Sequence, residues 1–429
     1  MRFPSLAWGR NREGAAEESL PRQMEAELHA LHRAWFPRCI DRQHGGFLCD
    51  FDHRWQPSGP QQKMLEFQAR QTLAAARGAI DSPHAALLRE AAEHGFRYLQ
   101  DTMWDHSHGG WYHMLDRAGN PLEAATKHGH ASSYAISACA ACYALTGDEG
   151  CLELAKSAFA WMEAHARDAK HGGYFVFYRR DGTLILSSDD LPPGVSADPI
   201  GTPYGYKDLN TTSDLLKAFA DLYLLWPDPL LRSRLEEMLG IVRDRFAVPP
   251  GTMHMCAHPD WTPVPDVVRY GHALRAANLL LAASAALGGA GDATTAGVVK
   301  SVADRMLAVA WDPGRGGFHA AGGSFAPTDV EGTKVFVRTK SWWAQAEGLK
   351  LLRAMAHAHP ADPADYRGHF VRLWKYIRAY LIDPRYGGWF QAGIDETAEA
   401  SKGPKGFAWK DCSHETDALL EYQQVPDLL

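Results

Sequence analysis

Apolar positions along this chain recur in two alternating rhythms. Long stretches carry them at helical spacing, and between these lie short apolar runs interrupted by turn residues. Residues 112–122, "YHMLDRAGNPL", place apolar residues around a turn-forming D-R-A-G, and 172–186, "GGYFVFYRRDGTLIL", repeat the plan around R-D-G. Both predict a β-hairpin. A helix follows, as in "KHGHASSYAISACAACYALTGD" (127–148) or "KSWWAQAEGLKLLRAMAHA" (340–358). A turn with Gly, Asp or Pro then leads into a second helix, such as "CLELAKSAFAWMEAHARD" (151–168). The first kind of helix is rich in Ala, Ser, Leu and Trp, which suits burial on most of its surface. The second kind carries more Arg, Glu and Lys, as in "DPLLRSRLEEMLGIVRDRF" (228–246), and suits an outer layer.

A motif marks each return of this pattern. "DRQHGGF" (41–47), "DHSHGGW" (105–111), "DAKHGGY" (168–174), "DPGRGGF" (312–318) and "DPRYGGW" (383–389) all read Asp, three residues, Gly-Gly, aromatic. The first glycines, Gly45, Gly109, Gly172, Gly316 and Gly387, are separated by 64, 63, 144 and 71 residues. The gap of 144 is two repeats of about 72, which predicts a degenerate copy near 245–255 with Gly251 as its remnant. Six units of hairpin, helix, helix then fill the chain without linkers. The prediction is an all-α fold, an (α/α)6 barrel in one domain spanning 1–429, with inner and outer rings of helices and short hairpins between repeats. An open superhelix of helix pairs is the competing architecture. Closure is preferred because the final helix, "CSHETDALLEY" (412–422), looks like another inner one rather than a capping unit.

Bulk properties narrow the partners. An apolar content of 46% supports a substantial core, and a net charge of −7 without a dense Lys/Arg run argues against nucleic acid. No apolar run reaches the roughly 18 residues of a membrane span, and the start lacks the apolar core of a signal peptide. A cytoplasmic protein is expected. Seven cysteines without framework spacing fit a reducing compartment. Cys139 and Cys142 form a CxxC inside an apolar helix and read as small core residues. His254, Cys256 and His258 alternate in "MHMCAHPDW", but with no fourth ligand evident they make a poor metal clip. Neither GxGxxG nor GxxxxGK[ST] occurs, so no nucleotide site is announced.

In a closed barrel the N-terminal ends of the inner helices converge on one mouth. Polar residues recur at that place on otherwise apolar helices. They are Arg70; then Lys127, His128 and His130; then Asn210, Thr212 and Asp214; then His272; then Trp342, Trp343, Gln345 and Glu347; and last Lys410, His414 and Glu415. Independent units sharing one register point to a common pocket. A neutral imidazole titrates near working pH, and general acid–base action is worth roughly 10²–10⁴ in rate. His272 and His414 on opposite sides of a pocket could serve the two faces of a sugar carbon. Removing a proton next to a carbonyl leaves negative charge on oxygen, which Arg70 could stabilise. Trp343 offers a flat face for a sugar ring.

These residues carry a resemblance. "KSWWAQAEGLKLL", "YGHALRAANLLL", "WKDCSHETDALLEY" and "FQARQTLAAA" are similar to the WWxQAE, GHxxE, W-K-x-x-x-H and early-arginine helices of the N-acylglucosamine 2-epimerase superfamily. That group includes cellobiose 2-epimerases and aldose–ketose isomerases acting on mannose and related sugars, and the resemblance spans essentially the whole chain. It implies His272 and His414 as the acid–base pair, Arg70 and Glu347 as substrate-binding and polarising groups, and Trp343 as part of the sugar platform. It implies no cofactor and no metal. Substrate contacts are further expected from His130, Asn210, Asp214, Arg275 and Lys410. A small-molecule sugar is the expected partner, in a chain acting alone or as a homodimer.

The chain departs from that pattern in places that bear on substrate. The GHxxE glutamate is Arg275, and the Trp three residues later is Asn278. The third unit's Asn-x-His-x-His helix reads "NTTSD", so Thr212 and Asp214 replace both histidines. One expectation is that Arg275 selects an anionic sugar. The leading reading is an aldose–ketose isomerase of the mannose type, working through a cis-enediol, because Asn278 reduces the wide platform of the cellobiose enzymes. A sugar 2-epimerase is the alternative. A glycoside hydrolase or lyase would need paired carboxylates, for which Asp214, Glu347 and Asp208 are candidates, and a non-catalytic sugar-binding protein is the third class. The Pro-, Gly- and Asp-rich stretch 187–208 is expected at the mouth, as a lid or as an irregular hairpin, and the loop 246–266 beside it.

Overall fold

The computed structural model describes residues 19–80, 82–192, 200–264, 266–289, 292–325 and 335–423. Among them the helices in chain order are α1 (Leu20–Trp35), α2 (Leu65–Gly78), α3 (Ala85–Tyr98), α4 (Gly129–Thr146), α5 (Glu149–His165), α6 (Leu209–Leu225), α7 (Pro229–Ile241), α8 (Tyr270–Ala286), α9 (Ala293–Val309), α10 (Trp342–Ala358), α11 (Tyr366–Tyr380) and α12 (Ser413–Gln423). The even-numbered helices form the inner ring. Their composition explains why: every residue of α2 except Arg77 is buried. An outer helix such as α11 buries one stripe, Tyr366, Phe370, Leu373, Trp374, Tyr376 and Ile377. The hydrophobic core lies between the two rings.

Each inner helix packs on the next, and α12 packs back on α2, so the ring closes. The outer helices α3, α5, α7, α9 and α11 each back the inner helix before them. The last inner helix, α12, is backed by α1 from the start of the chain. The (α/α)6 barrel expected from the repeats is therefore the observed fold, and the open superhelix is excluded.

The recurring Asp-x3-Gly-Gly motif turns out to be a socket for a buried lysine. In the third copy, Asp168 Oδ1 accepts the backbone N–H groups of Lys170 (2.9 Å) and His171 (3.1 Å), which fixes the turn. Gly172 and Gly173 follow with φ of 78° and 68°, a left-handed pair that favours glycine. The other oxygen, Oδ2, accepts Lys207 Nζ at 2.7 Å, and the same ammonium reaches the carbonyls of Gly172 and Pro259. Lys63–Asp41 (2.9 Å), Lys127–Asp105 (3.3 Å), Lys340–Asp312 (2.7 Å) and Lys405–Asp383 (2.6 Å) repeat the pair. All five ammonium groups are buried. Lys127, which the sequence places among the mouth residues, is thus turned away into its own turn.

The hairpins are shorter than expected and pair differently. The two residues before an inner helix pair with the hairpin of the following unit: β1 (Lys63–Met64) with β2 (Met114–Leu115), β3 (Lys127–His128) with β4 (Phe177–Tyr178). β5 (Lys207–Asp208) likewise pairs with a strand at Cys256–Ala257, and Arg269 with Ala321. The bridges Ser341↔Ala392 and Phe51↔Gly406 complete the circuit. Within a unit the hairpin pairings are short: single bridges such as Leu115↔Pro121 and Tyr178↔Leu184, or two-residue pairs such as Cys256–Ala257 with Pro263–Val264. The backbone groups leading into each inner helix need partners at the rim, and the neighbouring unit supplies them. The degenerate copy lies where the spacing put it. Ala247 pairs with Met253, which sets Gly251 in the position of the first glycine elsewhere. Val248 stands where the Asp would be and Arg269 where the Lys would be, so both partners are lost together. Gly251 persists for a local reason: a Cβ there would lie 2.1 Å from the Ser301 carbonyl oxygen.

Removing one member of a buried pair strands the other charge. Lys207→Met is expected to lower unfolding free energy by about 3–5 kcal/mol, read from urea denaturation. Lys207→Met combined with Asp168→Asn is expected to recover part of that loss.

Candidate active site

Five of the six inner helices start directly after a rim residue paired with the neighbouring unit, and the first turn of each inner helix presents one residue to the barrel axis. Glu66, His130, Asn210, His272, Trp343 and His414 hold this register, one from each inner helix. One turn further in, Arg70, Tyr134, Asp214 and Glu347 lie on the same faces. All of these except Glu66 and Glu347 line a cavity of about 190 Å³ at the mouth. Arg70, His130, Asn210, Asp214, His272, Arg275, Trp343 and His414, all predicted from sequence, line it. Trp342, also expected at the mouth, lines it too, as do Tyr134, Trp409 and Ile200. Tyr134 sits four residues after His130 on α4, the register of Arg70 and Asp214, a signal that helical periodicity offers. Ile200 brings the end of the 187–208 stretch to the mouth; residues 193–199 of that stretch lie outside the described residues.

Of the predicted mouth residues, Lys127, His128, Thr212, Gln345 and Glu415 do not line the cavity, and two of the predicted substrate-binding residues also stand back from it. Glu347 is 1% exposed and works through its neighbours. Lys410 is equally buried, with its ammonium 5.0 Å from the Trp342 ring centre and 3.9 Å from Glu415, so it turns from the cavity into a carboxylate pair.

The two imidazoles flank one indole. His272 meets Trp343 edge-on at 4.8 Å between ring centres, and His414 is tilted against the same ring at 5.7 Å. Their surroundings differ. His414 Nδ1 lies 2.9 Å from Glu347 Oε1. A carboxylate only accepts, so Nδ1 carries the proton and Nε2 is left as the basic nitrogen. His272 has no carboxylate partner among the described residues, and its buried Nδ1 makes no hydrogen bond there. Burial, followed by Arg269 and Arg275, pushes its pKa down to about 3. His414 is also lowered, by burial first, although its bond to Glu347 works the other way.

A chain of alternating charges underlies the floor. Arg275 Nη1 donates to Glu347 Oε1 (2.8 Å), and its Nε donates to Asp214 Oδ1 (3.0 Å). Asp214 Oδ2 accepts Tyr134 Oη (3.0 Å) and lies 3.2 Å from His130 Nε2. His130 Nδ1 faces Glu66 Oε1 (3.2 Å), whose second oxygen faces His113 Nε2 (3.1 Å). Burial alone would raise both carboxylates, yet Glu347 is held well below the usual range by Lys350 and Arg275, and Asp214 by Arg275 and His130. Burial would lower His130, but Asp214 and Glu66 raise it. With both nitrogens committed to carboxylates, His130 is a fixed donor within the wall and unsuited to act as a base. The positions where the sequence departs from the resemblance, Asp214 and Arg275, are ion-pair partners. Arg275 stands between two carboxylates, which leaves its charge matched and removes the basis for selecting an anionic sugar. Asn278 likewise turns inward, donating to Glu347 Oε2 at 2.8 Å.

Arg70 has its guanidinium 4.1 Å from the Tyr134 ring centre and 3.6 Å from Asp411. Glu66, His128 and His130 bring ligand-type atoms within 4.8 Å of one another, a spacing that would suit a metal ion. Glu66 and His130 are already engaged with His113, Asp214 and each other, so a metal would have to displace those contacts, and the residues fit an ion-pair chain better. The set His254, Cys256 and His258 is not drawn to one point: His254 Nε2 donates to the Arg245 carbonyl (2.6 Å). Cys139 and Cys142 are core residues, as expected.

The family model for N-acylglucosamine 2-epimerase matches residues 45–174, 113–190 and 198–407. The chain belongs to this family. Over 419 residues it is 26% identical to a cellobiose 2-epimerase of Bacteroides fragilis, covering 94% of this chain and 99% of that one. A cellobiose 2-epimerase of Ruminococcus albus is 25% identical over 338 residues, 78% of this chain and 80% of its own. The fold superimposes on a D-mannose isomerase with a TM-score of 0.80 at 22% identity, covering 96% and 100% of the two chains. A family 76 glycoside hydrolase of Bacteroides thetaiotaomicron shares the fold alone, with a TM-score of 0.60 at 11% identity over 94% of this chain and 98% of that one.

Arg275→Met would leave two buried carboxylates without their shared cation. It is expected to cost about 3–5 kcal/mol at pH 7. In the variant Asp214 and Glu347 titrate at higher pH, and a protonated carboxyl is easier to bury. The deficit relative to the parent should therefore shrink as pH falls from 7 towards 5, as followed by denaturation at each pH.

Proposed function

We propose that this protein is a cofactor-independent sugar isomerase that interconverts an aldose and a ketose through a cis-enediol, with His414 as the base. A sugar epimerase or isomerase is the enzyme class its family indicates. The observation that carries the finer reading is the asymmetry of the two imidazoles beside Trp343. His414 is oriented by a carboxylate with Nε2 left as acceptor, whereas His272 is too weakly basic to take a carbon-bound proton near neutral pH.

With an open-chain sugar against Trp343, His414 Nε2 takes the proton from C2. The C–H electron pair becomes the C1=C2 bond, and the carbonyl pair moves onto O1. Negative charge develops there, beside the Arg70 guanidinium and at the convergence of inner-helix N-termini. His272, held neutral, serves as a hydrogen-bond donor to the oxygens rather than as a proton acceptor. The O2 hydroxyl passes its proton to O1, and as O2 becomes the ketose carbonyl His414 returns its proton to C1. One base on one face suffices. A cavity of about 190 Å³ suits a single sugar ring.

The second reading is 2-epimerisation, favoured by the curated relatives, which are cellobiose 2-epimerases. It requires proton return to the opposite face of C2, and His272 would have to supply it. Hydrolysis with paired carboxylates is poorly supported. It needs one protonated carboxyl, and Asp214 and Glu347 are both held ionised around Arg275.

Incubation in deuterated water with glucose, mannose, other aldoses and cellobiose tests this. The expected outcome is ketose formation with deuterium entering the sugar, abolished to within roughly 10²–10⁴-fold by His414→Ala and only weakened by His272→Asn. A 2-epimer as sole product, lost equally in both variants, would replace the isomerase by the epimerase. Both histidines titrate below the ordinary value, so each is less than half protonated at pH 6.5. The acid limb of kcat/KM should lie below pH 6.5, where a free imidazole would already be half protonated.

A further inference from the structure

Glu347 is the partition between two cavities. Its Oε1 faces the mouth, where it accepts from Arg275 and His414. Its Oε2 faces the opposite end of the barrel, towards Asn278 (2.8 Å) and Lys350 Nζ (3.6 Å). At that end lies a cavity of about 690 Å³, walled by the C-terminal turns of the inner helices, and Lys350 and Asn278 line it. It is wide because those turns carry small residues such as Ala140, Ala144, Ala282 and Ala285. Lys350 is 7% exposed, and its ammonium is shared between Glu347 and Glu421 (3.3 Å).

We propose that Lys350 is a positioning residue for the reaction: from behind Glu347 it sets how firmly His414 holds a proton, and Glu421 competes for it from the far cavity. This rests on His414 being the base, as argued above. Other charges face the same group from every side. Arg275 and His272 come from α8, Asp214 from α6, and Arg70 from α2. Asp417 and Glu421 come from α12, with Arg77 paired to Asp417 at 2.6 Å. Lys350, 3.6 Å from Oε2, and Arg275 together keep Glu347 ionised against the effect of burial. The sign follows. While Lys350 is charged, Glu347 attracts the imidazolium form of His414 less strongly. Without it, Glu347 and His414 together bind a proton more readily, so a higher pH is needed to free the base.

The test is a histidine NMR titration of the full chain, which needs no turnover, alongside the pH profile of kcat/KM. In Lys350→Met the His414 midpoint is expected to rise by roughly half to one unit, with the acid limb of kcat/KM moving equally and Lys350→Arg restoring both. Glu421 is partly exposed, so Glu421→Gln keeps the fold even where Lys350→Met does not. It frees Lys350 to act on Glu347, and the midpoint is expected to fall. A folded Lys350→Met with an unmoved His414 midpoint, or a rise in Glu421→Gln, overturns the proposal. A midpoint that moves while the acid limb stays put upholds the role of Lys350 and overturns His414 as the base.

Discussion

The rim of this barrel rests on an ammonium group buried against an aspartate in a glycine turn. Taking two charges out of water is costly, and the cost is offset only when geometry is good and the remaining donors and acceptors are filled. Lys207 meets that condition with one carboxylate oxygen and two backbone carbonyls, while Asp168 uses its other oxygen on two backbone N–H groups. Four of the five lysines stand two residues before an inner helix. Fixing that ammonium fixes where the helix starts, and hence which side chain of the first turn meets the axis. Residues of α2, α4, α6 and α10, far apart in the chain, reach one cavity under this same constraint; α8, whose unit has lost the pair, and α12, which starts well after Lys405, join them through helix packing.

The cavity floor obeys a related rule at closer range. Lys350, Glu347, Arg275, Asp214, His130, Glu66 and His113 alternate in sign, so each buried charge has an opposite neighbour. The consequence is chemical. Two histidines in one pocket acquire different characters because only one of them touches this chain through a carboxylate. His414 is oriented by Glu347, whereas the position that would put a carboxylate three residues after His272 is occupied by Arg275. Asp214 and Arg275 are partners in one buried ion pair, so neither charge is left unmatched.

Much of the architecture was legible in the linear pattern. A turn with two consecutive left-handed residues favours glycine at both places, so Gly-Gly spacing counts the helix pairs even across the degenerate copy at Gly251. Helical register at His130, Asn210, His272, Trp343 and His414 pointed to a shared face. Tyr134 was within reach of the same periodicity. The rim lysines were not, because an Asp and its Lys lie 22 to 39 residues apart and nothing local marks them as partners. Lys127 and Lys410 therefore read as mouth residues from sequence, while in the structure each serves a buried carboxylate.

The sequence by itself determined that helix pairs repeat, which helices lie inside, and which residue types gather at one end of them. These follow from periods of two, 3.6 and about seventy residues, all of which are local properties of the chain. Tertiary structure alone decided which way each polar side chain turns and with whom it shares charge. Arg275 became a bridge between Asp214 and Glu347, His130 became a fixed donor, and Glu347 came to divide two cavities. Electrostatic character in a buried site depends on neighbours a few ångströms away that belong to other helices, and no period in the sequence encodes those distances.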